Sequence, residues 1–356
     1  MRLSADAVRA RGALTRLSDA AQYAILRGAF ALTHSFGIDQ NMRTASAVGR
    51  AYARVVRRHR LRAQHHIAQA MPELAPSDVE ALAQRSIENM FQMFMVESVA
   101  VPRLLTPSSW PERVRIAPSG AALMHENLEL LLSSRPMLMV TGHCGNWELL
   151  GFTLALLGFD TVALARPLDN PWLDAWIRAV REARGLRILT KFGATAEVQR
   201  VAESGGRVGF IADQNAGSDG LFVPFFGRLA SSYKSIGLLA MRYELPVVTG
   251  IARRTGDSFR YELECVDVMR PGDWASAPDP LYYITARFNR AIEQGVRSRP
   301  EQYLWVHRRW KSRPRHEIDG APMPERLRRK LRELPWMTDA EMERLEQPFV
   351  PAPEGR

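Results

Sequence analysis

The 356-residue chain carries 48 Lys+Arg against 38 Asp+Glu, a formal charge of +10, with 46% hydrophobic and 24% charged residues. This composition excludes a disordered tail, a collagen-like rod and a polytopic membrane protein, and the length supports one large or two modest domains with a real core. Two cysteines, Cys144 and Cys265, are too few for a disulfide framework and imply a reducing compartment, while the basic excess points to an acidic partner: nucleic acid, an anionic membrane, or an acidic protein or phosphorylated substrate.

No run of 18 uncharged apolar residues exists, so an orthodox transmembrane helix is not expected. The nearest candidate, Ala20 to Ile38, lies between Asp19 and Asp39 and carries Arg27 and His34. It reads as an amphipathic or interfacial helix, or as an ordinary packed one. It lacks the features of a cleaved signal peptide. Helical pattern continues to about residue 110. The basic stretch from Arg54 to His66 could face membrane phosphates or form a solvated helix face. Ser77-Asp-Val-Glu80, after Pro76, predicts a capping box opening the next helix. That helix leads into Met90, Phe91, Met93, Phe94 and Met95, a cluster suited to core packing or to lining a lipid tunnel.

From about Arg135, short apolar runs alternate with helical segments. Strands are predicted at Pro136–Thr141, Thr161–Ala165, Leu186–Leu189, Val208–Ala212, Val247–Ala252 and Tyr261–Val268. Helices are predicted at Trp147–Leu157, after Asn170-Pro171 as N-cap and first residue, at Ala194–Glu203, Ser232–Tyr243 and Tyr282–Val296, with Gly185 ending the second. The alternation predicts an α/β fold: a mostly parallel central sheet flanked by helices, behind a helical N-terminal region. The expected organisation is an amphipathic or weak anchor helix in 1–40, a helical region in 41–115, an α/β core in 116–315 and a surface-wrapping tail in 316–356.

The chain has no Gly-x-Ser-x-Gly elbow, phosphate-binding loop, Gly-x-Gly-x-x-Gly, His-Glu-x-x-His or paired Cys-x-x-Cys, so hydrolase, nucleotide and zinc readings have no anchor. What remains is Gly142-His143-Cys144-Gly145-Asn146-Trp147-Glu148, where the first core strand should turn into a helix. Ligand chemistry in open α/β sheets gathers at the carboxyl ends of strands. A histidine there, with a carboxylate five residues on, can form a dyad in which the acid fixes the tautomer and the other ring nitrogen takes a proton. The bland alternative is a first-turn helix acid beside a buried histidine. Cys144 should point away from His143 on an extended strand and reads as a small buried residue.

Four blocks then carry a resemblance: Gly142-His143-Cys-Gly-Asn146-Trp147-Glu148; Arg166-Pro167-Leu-Asp169-Asn170-Pro171; Asp213-Gln214-Asn-Ala-Gly217 running to Phe222-Val-Pro-Phe225-Phe226-Gly227; and Gln302-Tyr303-Leu-Trp305-Val-His307-Arg308-Arg309-Trp310-Lys311-Ser-Arg313-Pro314. In order and spacing the chain resembles the lipid A biosynthesis acyltransferase family, bacterial enzymes that add secondary acyl chains to the lipopolysaccharide anchor. They belong to the wider glycerolipid acyltransferase group with a His-x4-Asp/Glu dyad. The likeness spans most of residues 50 to 314. The chain departs from the family at His65-His66, in its less apolar N-terminal segment, and at Arg228-Leu-Ala-Ser-Ser-Tyr-Lys234, where a threonine-rich stretch is usual.

The resemblance implies acyl transfer from a thioester to a hydroxyl, with His143 as general base and Glu148 orienting it, and with no cofactor, metal or covalent enzyme intermediate. The oxyanion would be met by turn N–H groups near Gly145 and Asn146, or by Arg166. Asp213 and Gln214, ending a strand, should reach the same cleft or cap a turn. Phe225 and Phe226 read as an acyl-pocket wall or a buried anchor. Trp305, Arg308 and Arg309 suit a membrane interface, although aromatic and basic residues interleaved in this way also bind nucleic acid. The implied partners are an acyl carrier protein or acyl-CoA donor, a glycolipid acceptor and an anionic membrane surface, with no nucleic acid, at the cytoplasmic face of the inner membrane. The alternatives are another lipid acceptor, such as a lysophospholipid, a glycosylated phosphoinositide or an ornithine lipid, and a non-catalytic basic protein that binds membranes or nucleic acid.

Overall fold

The computed structural model describes residues 12–133, 135–190 and 194–350. Residues 1–11 of the expected N-terminal helical region and the last six of the expected tail lie outside them. The N-terminal region is helical as its pattern predicts: α1 (Ala13–Thr33), α2 (Ile38–Val55), α3 (Arg57–Ala70), α4 (Pro76–Gln92), a π-helical turn at Met93–Glu97 and α5 (Ser98–Leu104). The α2 and α4 helices cross closely because Gly49 has no side chain: a Cβ there would lie 2.8 Å from the Glu88 Cα. The expected capping box at Ser77 does not form. Ala75 is the N-cap and Pro76 the first helical residue, because proline's fixed φ and missing N–H suit that position.

The core alternates strands and helices: β1 (Val114–Ile116), α6 (Ala121–Leu132), β2 (Met137–Thr141), α7 (Trp147–Leu156), β3 (Thr161–Ala165), α8 (Pro171–Arg181), β4 (Arg187–Thr190), α9 (Ala194–Glu203), β5 (Arg207–Ile211), the hairpin β6 (Leu221–Phe225) and β7 (Arg228–Ser232), α10 (Ser235–Tyr243), β8 (Val247–Arg254), β9 (Tyr261–Met269) and α11 (Pro280–Ser298). The seven-stranded sheet has the order β1-β9-β8-β2-β5-β3-β4, and every neighbouring pair is parallel except β8 with β9. The local signals act as predicted. Asn170 Oδ1 accepts the Trp172 and Leu173 N–H groups with Pro171 at the first position of α8, and Gly185 takes a left-handed φ of 96° where that helix ends.

The two faces of the sheet differ in bulk. Leu138, Val140, Val162, Val208 and Val247 pack in the main core with Ile236 of α10 and Phe288 and Ile292 of α11. On the alternate face, toward α6 and α7, Met139, Val248 and Ile188 stand among the small Thr141, Thr161, Ala163, Gly209 and Gly250, and a cavity lies beneath those helices.

The hairpin and the C-terminal segment show how burial corrects a reading from composition. Phe226 and Gly227 form a two-residue turn with φ of 54° and 65°, as a tight right-twisted hairpin requires. Phe225 and Phe226 are fully buried against Tyr303, Trp305 and Trp310, so they are core anchors and do not line the cavity. Trp305 and Arg309 are equally buried and form no membrane interface. Arg309 donates to the Ser231 carbonyl, Ser232 Oγ and Asn289 Oδ1, and its guanidinium lies over the Phe225 ring. Arg308 alone of this group faces solvent. The expected tail folds back as α12 (Glu325–Arg332) and α13 (Asp339–Glu346), whose Leu331, Met342 and Leu345 pack with Val223 and Leu229 of the hairpin.

Candidate active site

The site is built at the carboxyl ends of β2 and β5. These strands are parallel neighbours with Thr141 opposite Ile211, so the residues two positions further on, His143 and Asp213, emerge side by side. His143 Nδ1 donates to Asp213 Oδ1 at 2.7 Å, and the His143 backbone N–H donates to Oδ2 of the same carboxylate at 2.8 Å. The proton is therefore on Nδ1, which leaves the Nε2 lone pair toward the cavity, where the Gln214 amide donates to it at 3.3 Å. The Trp147 ring meets the imidazole edge-on at 4.9 Å, and the His307 ring stacks on it with centroids 6.2 Å apart.

The electrostatics favour a permanently charged carboxylate. Burial alone would raise the Asp213 pKa, but the adjoining imidazole, its two hydrogen bonds and His307 outweigh that and lower it to about 2. Burial, against the pull of Asp213 and with the push of His143 and nearby arginines, lowers His307 to about 4, so it is neutral near pH 7. Cys144 is fully buried and its thiol is pushed well up by burial and by Asp213, so it is no nucleophile.

Glu148 is not the partner of His143. At the first turn of α7 its carboxylate turns toward α8 and is clasped there by Arg181, whose Nε lies 2.8 and 3.1 Å from the two oxygens while Nη2 bonds Oε1. Both residues line the cavity near His143. Asn146 is also reassigned. It is wholly buried and does not line the cavity, and its Oδ1 caps α7 by accepting the Leu149 N–H at 2.9 Å. The turn N–H groups expected to face an oxyanion are taken: Gly145 donates to the Gln302 carbonyl and Asn146 to the Ala252 carbonyl. Gly145 has φ 63°, and a Cβ there would strike the Ala252 oxygen at 2.1 Å, so only glycine fits this turn. Arg166 and Gln214 do line the cavity, Arg166 at the solvent-exposed mouth with Asp169 at 3.7 Å.

The cavity has a volume of about 470 Å³, within the range of small-molecule sites, and its wall is mostly apolar below His143. Of the methionine and phenylalanine cluster ending α4, Phe94 reaches its mouth and Met93 is buried in the core. The sequence brings Asp213 to the cleft but does not pair it with His143, and it gives no sign of Arg181, which sits on an amphipathic helix with nothing local to mark it.

Residues 15–312 match the family model of the bacterial lipid A biosynthesis acyltransferases. The chain belongs to this family. Among the relatives of this lipid A biosynthesis acyltransferase family member, a lipid A biosynthesis lauroyltransferase of Escherichia coli K12 is 24% identical over 283 residues, covering 79% of this chain and 87% of the relative. A lipid A biosynthesis acyltransferase of Shigella flexneri is 23% identical over 276 residues, covering 77% and 85%. A lipid A biosynthesis palmitoleoyltransferase of Escherichia coli K12 is 26% identical over 195 residues, covering 51% and 58%. The chain is thus an acyltransferase, and the family match contains the whole His143–Asp213 constellation.

Proposed function

We propose that the protein transfers a fatty acyl chain from an acyl carrier protein thioester to a hydroxyl of a lipid A precursor, with His143 as general base and Asp213 as its orienting carboxylate. The observation that carries this reading is a tautomer-fixed imidazole whose Nε2 faces the upper end of a long apolar cavity. Nε2 takes the acceptor hydroxyl proton as its oxygen attacks the thioester carbonyl. The tetrahedral intermediate collapses with cleavage of the C–S bond, and the imidazolium returns the proton to the leaving sulfur. Asp213 stabilises the imidazolium without itself being protonated. The Gln214 amide, beside Nε2, and Arg166, at the mouth, are the donors available to the oxyanion.

The formal charge of +10 suits an acidic carrier protein and a phosphorylated acceptor. No described helix is long and apolar enough to cross a membrane. Instead α1 turns Tyr23, Arg27 and Phe30 onto Trp172 and Trp176 of α8 and leaves Leu14, Leu17, Ile25 and Leu32 exposed on its uncharged side. That side, with the exposed Leu168 and Phe94 at the cavity mouth, supports peripheral docking on the inner membrane so that the acceptor enters from the lipid surface.

The test is acyl transfer from carrier-protein and coenzyme A thioesters to total bacterial lipid, with products identified by mass spectrometry for wild type and His143→Ala. A lipid A species that gains one chain only with wild type supports the reading. Transfer to a different lipid replaces the acceptor, and folded wild type without product defeats the enzyme assignment.

A further inference from the structure

Three glycines sit inside regular elements along the wall of the cavity: Gly151 in α7, Gly209 in β5 and Gly250 in β8. Glycine weakens helices and strands, so each position calls for a reason. Positive φ is not the reason, since none of the three has it. Close backbone approach is not the reason either. A Cβ at Gly209 would meet the Val162 oxygen at 3.6 Å and the Ala163 Cβ at 3.9 Å, both ordinary contacts, whereas one at Gly237 in α10 would strike Leu281 at 2.7 Å. At Gly250 the register shift between β8 and β9 supplies a reason, and at Gly209, where none of these applies, what remains is the space itself.

Gly209 occupies the decisive place in that space. Strand register puts Val248, Met139, Gly209, Ala163 and Ile188 in one row across five strands, and all five line the cavity. The row lies four residues down β2 from His143, on the order of 13 Å at the rise of an extended strand. Beyond it the cavity continues toward Thr161, Phe159 and Leu131. A straight alkyl chain with its thioester at His143 must cross the row to reach that lower part, and it crosses where side chains are smallest.

We propose that Gly209 sets the length of acyl chain the enzyme accepts: its missing side chain opens the passage between Met139 and Ala163, and any side chain placed there closes it. The inference rests on the acyl-transfer reading for its substrate but not for its geometry.

The experiment uses the full chain as wild type, Gly209→Ala and Gly209→Val. Transfer is measured from straight-chain acyl thioesters of graded length on acyl carrier protein. In parallel, free fatty acids of the same lengths displace a fluorescent fatty acid from the protein. The preferred donor should shorten from wild type to Ala to Val. For the longest donors kcat/KM should fall at least about tenfold, the least that crowding a hydrophobic pocket by a methylene commonly costs, while the shortest accepted donor changes little. Neither variant should melt below wild type, because alanine and valine are at least as good as glycine in a strand. An unchanged length optimum, an equal loss at every length, or a lower melting temperature in both variants overturns the proposal. If wild type transfers no chain, the displacement arm decides: selective loss of the longer acids in Gly209→Val upholds the length gate while the transfer reading fails, and no selective loss overturns both.

Discussion

A single carboxylate, that of Asp213, holds both the backbone N–H and the ring Nδ1 of His143, at 2.8 and 2.7 Å. Position, ring orientation and tautomer of the base therefore have one source, and that source is a residue of the neighbouring strand, 70 positions away. Asp213→Asn keeps the shape of the side chain while removing the charge and one acceptor oxygen. It is expected to lower kcat by about 10² to 10⁴, the usual worth of a positioned general base, with KM for the donor changed only a few-fold. Steady-state kinetics with a saturating acceptor measures this, and a loss below tenfold would falsify the orienting role. Because Asp213 stays ionised down to about pH 2, its own protonation does not limit the rate at ordinary acidity.

The Glu148–Arg181 clasp predicts paired behaviour. Glu148→Gln and Arg181→Gln should each cost about 2 kcal/mol of stability, as expected for losing a charged hydrogen bond in a largely buried place. The double variant should cost less than the sum of the two. Their effects on turnover should be similar and likewise non-additive, since both act by tying α7 to α8 at the cavity. If Glu148 worked on the imidazole directly, Glu148→Gln would lose orders of magnitude more activity than Arg181→Gln.

Two histidines, the buried His66 and the half-buried His307, give stability a defined pH slope. Burial, only partly offset by the hydrogen bond to the Trp305 carbonyl, lowers His66 to about 4, and burial likewise lowers His307 to about 4, against an ordinary 6.5. Between these values the unfolded chain binds protons that the folded chain refuses, so stability rises with pH from about 4 to 6.5 and falls as the solution is acidified. Each group contributes on the order of 3 kcal/mol across the window and nothing further below it. Urea midpoints measured from pH 7 to 4 test this. His66→Gln, which keeps a donor for Trp305, should flatten the slope, and an undiminished slope in that variant rules His66 out as a cause.

The two thiols should be inert while the protein is folded. Cys144 is fully buried, and burial with nearby Asp267 and Glu126 pushes Cys265 up to about 12. Iodoacetamide at neutral pH should leave activity intact and alkylate neither cysteine until denaturant is added. Inactivation that tracks alkylation of Cys144 in the native enzyme would contradict this account.

What the sequence made legible follows from the range of the physics involved. Asn170-Pro171 and Gly185 act within a few residues, so both ends of the α8 segment could be read, as could most core strands from their apolar runs. His143 could be found because the strand-to-helix turn is local. Its partner could not, because Glu148 and Asp213 are both acids near the site and only strand order decides between them. The signal was present in a faint form: His143 and Asp213 each follow the end of a predicted strand. Trp305 and Arg309 mislead for a related reason. Aromatic and basic residues interleaved in this way fit a lipid headgroup layer and a core covered by a hairpin equally well, and the β6–β7 hairpin that covers them comes from 70 to 90 residues upstream.

The sheet order β2-β5-β3 has a consequence for how activity is acquired. β2 and β3 are consecutive in the chain, joined through α7, yet they never touch, because β5 is wedged between them. Until that third strand arrives, His143 has no carboxylate beside it, and a one-residue slip in its register would turn Asp213 to the opposite face. During refolding, catalytic competence should thus return no sooner than this long-range insertion, later than the bulk of the helical signal, so that turnover serves as a clock for the final assembly of the sheet.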